Sequence, residues 1–364
     1  MKYRYAVVGY GFIGRRHVAT LKSLENVDCV AVCDINAQRL EEVRGIYPEI
    51  ETYGTIDQLL EESDINGVVI SANNNQHKEL VIKAAQAGMN IICEKPAAMS
   101  VAEFDEMMEA VDQAGVTLTV HQQRRFDKDF QTVKKCYEEG SLGDVYTIKS
   151  SLYGYNGNMH DWHVYKAEGG GMLYDWGVHL IDQILYMMES PLKAVFADIR
   201  SVINKEVDDY FNILLRFENG VTAEIELGTY YLSDQKEWFE RHWYMGGNTG
   251  SMYANKFDPE GKIVRTTKLL ENVNEDQDKS AKSYGPTRSF GVPEPGLIVT
   301  EDIPKVETEH IEFFENYFAA LDGKAELLVK PQEVRKVLEV MEACWKSAET
   351  FSSVSFESSV EATV

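Results

Sequence analysis

The chain has 364 residues, 44% of them hydrophobic, and a formal net charge of −23. That length suggests about two domains with real cores, and a field of that sign works against nucleic acid, anionic membrane surfaces and, more weakly, polyanionic substrates. No apolar run approaches the ~18 residues of a membrane span, Met1 leads straight into a strand with no leader pattern, and the five cysteines (Cys29, Cys33, Cys93, Cys136, Cys344) show no CxxC or metal-ligand rhythm, so a reducing, cytoplasmic location is expected.

Residues 2–8 predict a strand ending in Tyr5-Ala6-Val7-Val8. Gly9-Tyr10-Gly11-Phe12-Ile13-Gly14 follows, then an amphipathic helix through Leu24, then an apolar strand, residues 29–33, ending at Asp34. Strand, glycine turn, helix, strand and acid stand in the order of a dinucleotide-binding fingerprint. Gly9 permits the tight turn, Gly11 lets a pyrophosphate approach the backbone, and Gly14 lets the helix pack close to the sheet. The helix start at Phe12 and Ile13 offers free N–H groups to the phosphates. Asp34 lies 34 − 14 = 20 residues past the last glycine, where a carboxylate bonds the adenosine ribose hydroxyls and repels a 2′-phosphate. NAD is therefore expected over NADP, with Arg39 as the cation that competes for a phosphate there.

Strand and helix patterns keep alternating to about residue 121. Residues 37–47 and 56–62 predict helices, 67–71 a buried strand, 77–87 a helix and 90–93 a strand. Ser100-Val101-Ala102-Glu103 is a capping box that opens a helix to Ala114, and residues 116–120 predict the next strand. Such alternation implies a parallel sheet covered on both faces. Beyond it the pattern changes. Residues 130–139 predict a helix, 145–155 a long strand, 169–188 a helix, and 195–203, 210–217 and 221–227 strands, with Asn219-Gly220 as a hairpin signal. Residues 242–245, 250–254 and 262–267 predict further strands. Residues 271–304 are polar, aperiodic and rich in Pro and Gly, and predict a long loop, lid or oligomer arm. Two amphipathic helices, 309–321 and 331–351, precede a Ser- and Glu-rich tail that predicts a frayed end. The expected fold is α/β, with a Rossmann domain over residues 1–122. An α+β domain follows over 123–364, with a large open, mostly antiparallel sheet and C-terminal helices able to return to the first domain.

Ligands of an open α/β sheet bind beyond the carboxyl ends of its strands. Three stretches fall there: 71–77, with Ser71, Asn73 and His77; Glu94-Lys95-Pro96; and 121–126, with Gln123. All are expected to line the groove near the nicotinamide half of a cofactor. An ammonium at Lys95 can hydrogen-bond a substrate hydroxyl and stabilise the alkoxide that forms as hydride leaves. A second group is Gly169-Gly170-Gly171 leading to Asp175 and His179. On a helix, Asp175 and His179 share a face, and a histidine beside a carboxylate is a natural proton acceptor near neutral pH. His160, Asp161 and His163 lie close in sequence, but no recognised spacing unites them as metal ligands, so no metal is expected.

Jointly, Gly9-x-Gly11-x-x-Gly14 with His17, Glu94-Lys95-Pro96, Arg125-Phe126-Asp127, Gly169–Gly171 with Asp175 and His179, Leu142-Gly143-Asp144-Val145 and Lys346-Ser347-Ala348 resemble the Gfo/Idh/MocA family of sugar and inositol dehydrogenases. The resemblance covers nearly the whole chain. It implies Lys95 as a catalytic residue completed by Asp175 and His179, a Lys95–Pro96 bond that is often cis, and packing of the second sheet against another subunit in a homodimer or homotetramer. It departs from the family at Ala72-Asn73-Asn74, where relatives usually carry a Thr-Pro-Asn turn. The expected activity is reversible oxidation of a secondary alcohol of a sugar, sugar derivative or inositol by NAD. Lys95 and His179 both stand as candidates for the formal base, and Arg125, Tyr153 and Trp162 as further substrate contacts. Two alternatives remain open: a glycoside hydrolase that uses tightly held NAD in a transient oxidation, and a non-catalytic NAD-binding regulator.

Overall fold

Continuous apolar runs build the first sheet. In this computed structural model, which describes residues 2–155, 159–230, 238–269 and 295–356, six parallel strands form it: β1 (Tyr3–Val8), β2 (Val27–Cys33), β3 (Glu51–Tyr53), β4 (Gly67–Ile70), β5 (Asn90–Cys93) and β6 (Leu118–Val120). Their order is β3-β2-β1-β4-β5-β6. The order reverses between β1 and β4, and there the crevice opens at the carboxyl ends. Val68, Val69, Ile70, Ile91, Ile92 and Cys93 have no exposed surface, as both-sided cover requires. That cover comes from α1 (Phe12–Ser23), α2 (Ala37–Ile46), α3 (Ile56–Glu62), α4 (His77–Gln86) and α5 (Val101–Ala114). Ser100 caps α5 by accepting from the Glu103 amide, while the Glu103 side chain accepts from the Met99 amide. Strand β3 is an addition to the expected elements: Glu51-Thr52-Tyr53 has no apolar alternation, and only pairing with β2 makes it a strand.

The second sheet has nine strands in the order β14-β13-β12-β11-β7-β10-β9-β8-β15. They are β7 (Val145–Gly154), β8 (Leu192–Arg200), β9 (Tyr210–Phe217), β10 (Thr222–Gly228), β11 (Phe239–Gly247), β12 (Gly250–Asn255), β13 (Glu260–Thr266), β14 (Ile298–Asp302) and β15 (Val354–Ser355). All neighbours are antiparallel except β7 and β10. Period-two burial separates two faces. Ile148, Leu152, Ile213, Leu215, Ala223 and Ile225 face the core, while Phe196, Leu214, Tyr244 and Tyr253 stay exposed on the other side. The core face carries α6 (Lys128–Glu138), α7 (Val178–Met187) and α9 (Pro331–Thr350). A buried polar joint fixes it: the Asp129 carboxylate accepts from Arg241 at 2.9 Å and from the Trp243 indole at 2.7 Å.

Three expectations need correction or limits. Strand β14 lies inside the stretch expected to be a loop and pairs with β13; residues 271–294 of that stretch lie outside the described residues, as does the tail from 357. The helix expected from residue 169 starts only at Leu173, because Gly169 and Gly171 adopt φ of +79° and +109°. Its first turn, Leu173–Gly177, is a π-helix, so Asp175 and His179 are not related by regular α-helical geometry.

The two halves are joined at several points. The Tyr5 and Tyr317 hydroxyls share a 2.9 Å hydrogen bond that ties β1 to α8 (Ile311–Leu321). Arg335 of α9 pairs with Asp105 of α5. At the crevice, the Asn73, Asn74 and Asn75 amides donate to the Glu168 carboxylate and to the Gly169 and Ala167 carbonyls. The Ala72-Asn73-Asn74 departure thus falls where the first domain grips the second.

Candidate active site

The glycine turn is built for a phosphate. A Cβ on Gly9, at φ +95°, would meet the Ser71 carbonyl oxygen at 2.5 Å, and one on Gly14 would meet the Gly9 oxygen at 2.0 Å. A Cβ on Gly11 would meet nothing within 4 Å among the described residues. Packing therefore fixes the outer two glycines, and the middle one faces open space. No side chain caps the start of α1 and no acid sits in its first turn, which leaves its amides available to an anion. Phe12, 71% exposed, and Ile13 begin that helix. Ser71 donates to the Gly9 carbonyl at 2.8 Å and holds the loop to the end of β4. Asp34 is buried at the end of β2. It accepts from the Tyr10 amide at 2.7 Å and the Asn36 amide at 2.7 Å, with the Arg39 guanidinium at 3.2 Å.

At the end of β5, neighbouring residues do different work. The Glu94 carboxylate is buried and accepts from His17 Nε2 and His121 Nδ1, each at 2.7 Å. Burial pushes its pKa up, but the two imidazoles outweigh burial and hold it well below the usual carboxylate range. These three residues are the one metal-capable group among the described residues, yet their ligand atoms are already bonded to one another. The carboxylate of Glu94, a residue expected to touch cofactor, is a strut here, and its second oxygen receives the Lys95 amide at 3.1 Å. His77 is likewise a strut, wedged between the Pro96 carbonyl at 2.8 Å and the Ala72 carbonyl at 3.1 Å. The Lys95–Pro96 bond is cis.

Lys95 crosses to the second domain. Its Nζ donates to Asp175 Oδ1 at 2.7 Å and to the Asp175 carbonyl at 2.8 Å, so one ammonium proton remains to be shared. His179 is buried one turn further on. Its Nδ1 donates to Gln122 Oε1 at 2.8 Å, which leaves the proton-accepting lone pair on Nε2, a nitrogen with no hydrogen-bond partner among the described residues. Burial, then the Lys95 and Arg124 charges, push the His179 pKa well below the ordinary imidazole value, so the ring is neutral and able to accept a proton. His163 completes the group, with Nε2 4.0 Å from Asp175 Oδ2.

Of the expected catalytic residues, Lys95 and Asp175 are thus in direct contact, and His179 is near enough to feel the Lys95 charge. Two expected substrate contacts, Arg125 and Tyr153, bond elsewhere. The Arg125 guanidinium is fully buried, doubly bonded to Asp182 at 2.7 and 2.8 Å and paired with Glu333 at 2.7 Å. Tyr153 is on the outward face of the second sheet, where its hydroxyl donates to Glu226. Trp162 stacks on His163 at 3.8 Å between centroids and stays beside the cluster. Asn73 spends its amide on Glu168. The sequence reading missed Gln122 and His163 as site residues. Gln122 was visible only as part of a strand-end run, and His163 only as a failed metal ligand. Around His179 three buried atoms lack partners among the described residues: Gln122 Nε2, Gln123 Oε1 and Trp176 Nε1. Buried polar atoms nearly always have a partner, water or ligand where the protein supplies none. Together with the open cradle at Gly11, they fit a dinucleotide and a polar substrate.

Fold and site define a dinucleotide-dependent oxidoreductase. Comparison with known proteins agrees. A model described as an oxidoreductase family with an NAD-binding Rossmann fold matches residues 3–122, and one described as the GFO/IDH/MocA C-terminal domain matches residues 130–253. An uncharacterized oxidoreductase of Schizosaccharomyces pombe is 31% identical over 85% of this chain and 87% of its own. The scyllo-inositol 2-dehydrogenase (NADP(+)) IolW of Bacillus subtilis is 27% identical over 97% of this chain and 96% of its own. The solved structure of an NAD-binding protein from Listeria innocua superposes with a TM-score of 0.84 at 31% identity, covering 98% of this chain and 97% of that one. The chain belongs to the Gfo/Idh/MocA oxidoreductase family.

Proposed function

We propose that this protein is an NAD-dependent dehydrogenase that reversibly oxidises a secondary alcohol of a sugar, sugar derivative or inositol. The observation that supports this most is the 2.7 Å pair of Lys95 Nζ with Asp175 Oδ1, an ammonium of the nucleotide-binding domain held by a carboxylate of the other, with the neutral His179 imidazole near enough to feel the Lys95 charge. The inositol relative supports the substrate class.

NAD, held over Gly9–Gly14 with its ribose toward Asp34, would supply a hydride acceptor. Asp175 holds Lys95 by its side chain and its carbonyl. The remaining Lys95 proton is shared with the substrate hydroxyl oxygen and stabilises the alkoxide as it forms. His179 Nε2 accepts the hydroxyl proton, and Gln122 keeps that ring in the correct tautomer. Five free, buried cysteines support a reducing, cytoplasmic setting. No helix among the described residues is long and apolar enough to cross a membrane. The exposed apolar residues on the outer face of the second sheet support a homodimer or homotetramer built through that face, testable by light scattering.

The test is NADH absorbance with a panel of sugars, sugar acids and inositols. Turnover with a polyol and NAD supports the reading. Glycoside cleavage without net NADH would replace it with the hydrolase, and NAD binding without any turnover would replace it with a regulator.

A further inference from the structure

Each oxidation leaves a proton in the site. On the proposed function, the carbinol C–H bond breaks with both electrons and the hydride goes to the nicotinamide, while the O–H bond breaks and its proton goes to His179. That imidazole is 2% exposed, so a route to water is needed before it can act again. We propose that His163 is the proton exit of this site, taking the proton from the Lys95–Asp175–His179 cluster and passing it to solvent.

His163 sits between the cluster and bulk water. Its Nε2 is 4.0 Å from Asp175 Oδ2, too far for a direct hydrogen bond but a span that one hydroxyl or water oxygen can bridge. Its Nδ1 lies 3.0 Å from the His160 carbonyl oxygen. A carbonyl only accepts, so Nδ1 keeps its proton and Nε2 is the nitrogen that gains and loses one. The side chain is 14% exposed, against 57% for that of His160, whose ring lies 5.4 Å further out. Exposure therefore rises in steps from His179 through His163 to the surface.

The position is held from the backbone. The Gly171 amide donates to the His163 carbonyl at 3.0 Å, and a Cβ on Gly170 would strike that oxygen at 2.3 Å. The glycine run ahead of Asp175 is thus what lets the His163 loop lie against it. Trp162 stacks on the ring from one side. The charged groups facing His163 are Asp175, which favours its protonated form, and Lys95 and His160, which oppose it. Burial is the largest influence, and the net pKa is below the ordinary imidazole value, so a proton taken up here is quickly released at neutral pH.

The proposal makes two demands. First, with [13Cε1]-histidine NMR, the His163 titration should move to lower pH in Asp175→Asn, because the attracting carboxylate is gone. A titration unmoved by that substitution would overturn the link without any substrate. Second, with whichever panel member turns over, His163→Ala should lower kcat on the order of tenfold or more with KM little changed. Added imidazole should restore the rate in proportion to its concentration, and the isotope effect from a carbon-deuterated substrate should shrink. His163→Gln, which keeps the bulk, should show the same deficit and the same rescue. Turnover in both variants that is normal, or that imidazole leaves unchanged, overturns the exit while the dehydrogenase stands. A panel without any turnover takes down both.

Discussion

Two carboxylates, one on each side of the domain crevice, are flanked by imidazoles, and they differ in what they hold. Glu94 accepts from His17 and His121, both at 2.7 Å and both of its own domain. Asp175 instead grips the Lys95 ammonium at 2.7 Å across the crevice, with His163 at 4.0 Å, and the nearby His179 keeps a nitrogen without a hydrogen-bond partner among the described residues. Buried charge-assisted bonds within one domain rigidify what they hold. An ammonium held across a crevice near a neutral imidazole can act on what enters it. The contrast assigns Glu94 to holding the end of β5 in place, and its sequence neighbour Lys95 to the chemistry.

The largest expected effect separates these two roles. Lys95→Ala should lower kcat by at least ~10²-fold, the usual worth of a positioned proton-handling group, while leaving NAD affinity by calorimetry nearly unchanged. Glu94→Gln should instead cost about 1.5–3 kcal/mol in urea unfolding, the range for hydrogen bonds to a charged group. Its loss of turnover should be much smaller than that of Lys95→Ala. If the two variants changed places, the division of holding and chemistry between the two carboxylate groups would be wrong.

His179 sharpens the chemical side. Its pKa is depressed by burial first and by Lys95 and Arg124 next, so protonation disables it only well below the ordinary imidazole range. The acid limb of kcat/KM should therefore fall at a pH clearly lower than 6.5. His179→Asn should remove that limb and lower the plateau roughly 10²-fold. A limb at the ordinary imidazole value, unchanged in the variant, would return the role of base to Lys95.

Arg125 shows why part of the site could not be read from sequence. The parallel sheet, the glycine turn and the place of Lys95 were legible because each depends on local spacing: apolar runs, glycines at fixed offsets, a charge at a strand end. The π-turn that carries Asp175 was not, because the spacing reads as an ordinary helix. Arg125 follows the same strand end, yet its guanidinium turns inward to Asp182 and Glu333, residues 57 and 208 positions away. Nothing local announces such partners. Tyr153 failed for a related reason: strand period shows that neighbours alternate but not which face meets the crevice. His163 became visible only once Gly170 and Gly171 had brought its loop against Asp175. Arg125→Ala should accordingly cost about 3–5 kcal/mol of stability, as removal of one partner from a buried ion pair does, with KM for the substrate little changed in the folded fraction. A selective rise in KM at unchanged stability would put Arg125 back beside the substrate.

The smallest effect concerns Asp208, another buried carboxylate. It accepts from the Leu173 amide at 2.7 Å, at the start of the π-turn that carries Asp175. Burial is the main cause that raises its pKa to about 7, with backbone hydrogen bonds pulling against it. A raised carboxyl pKa means that the folded chain binds a proton that the unfolded chain has already lost. Between the ordinary carboxyl range and pH 7 this group therefore makes stability fall as pH rises, and the loss levels off above 7. Asp208→Asn keeps an acceptor for Leu173 but cannot ionise. Its melting temperature relative to the natural chain should become more favourable between pH 5 and pH 8, read from thermal scans of both proteins in matched buffers. Parallel curves would mean that Asp208 ionises as an ordinary carboxylate and that the Asp175 turn is anchored independently of pH.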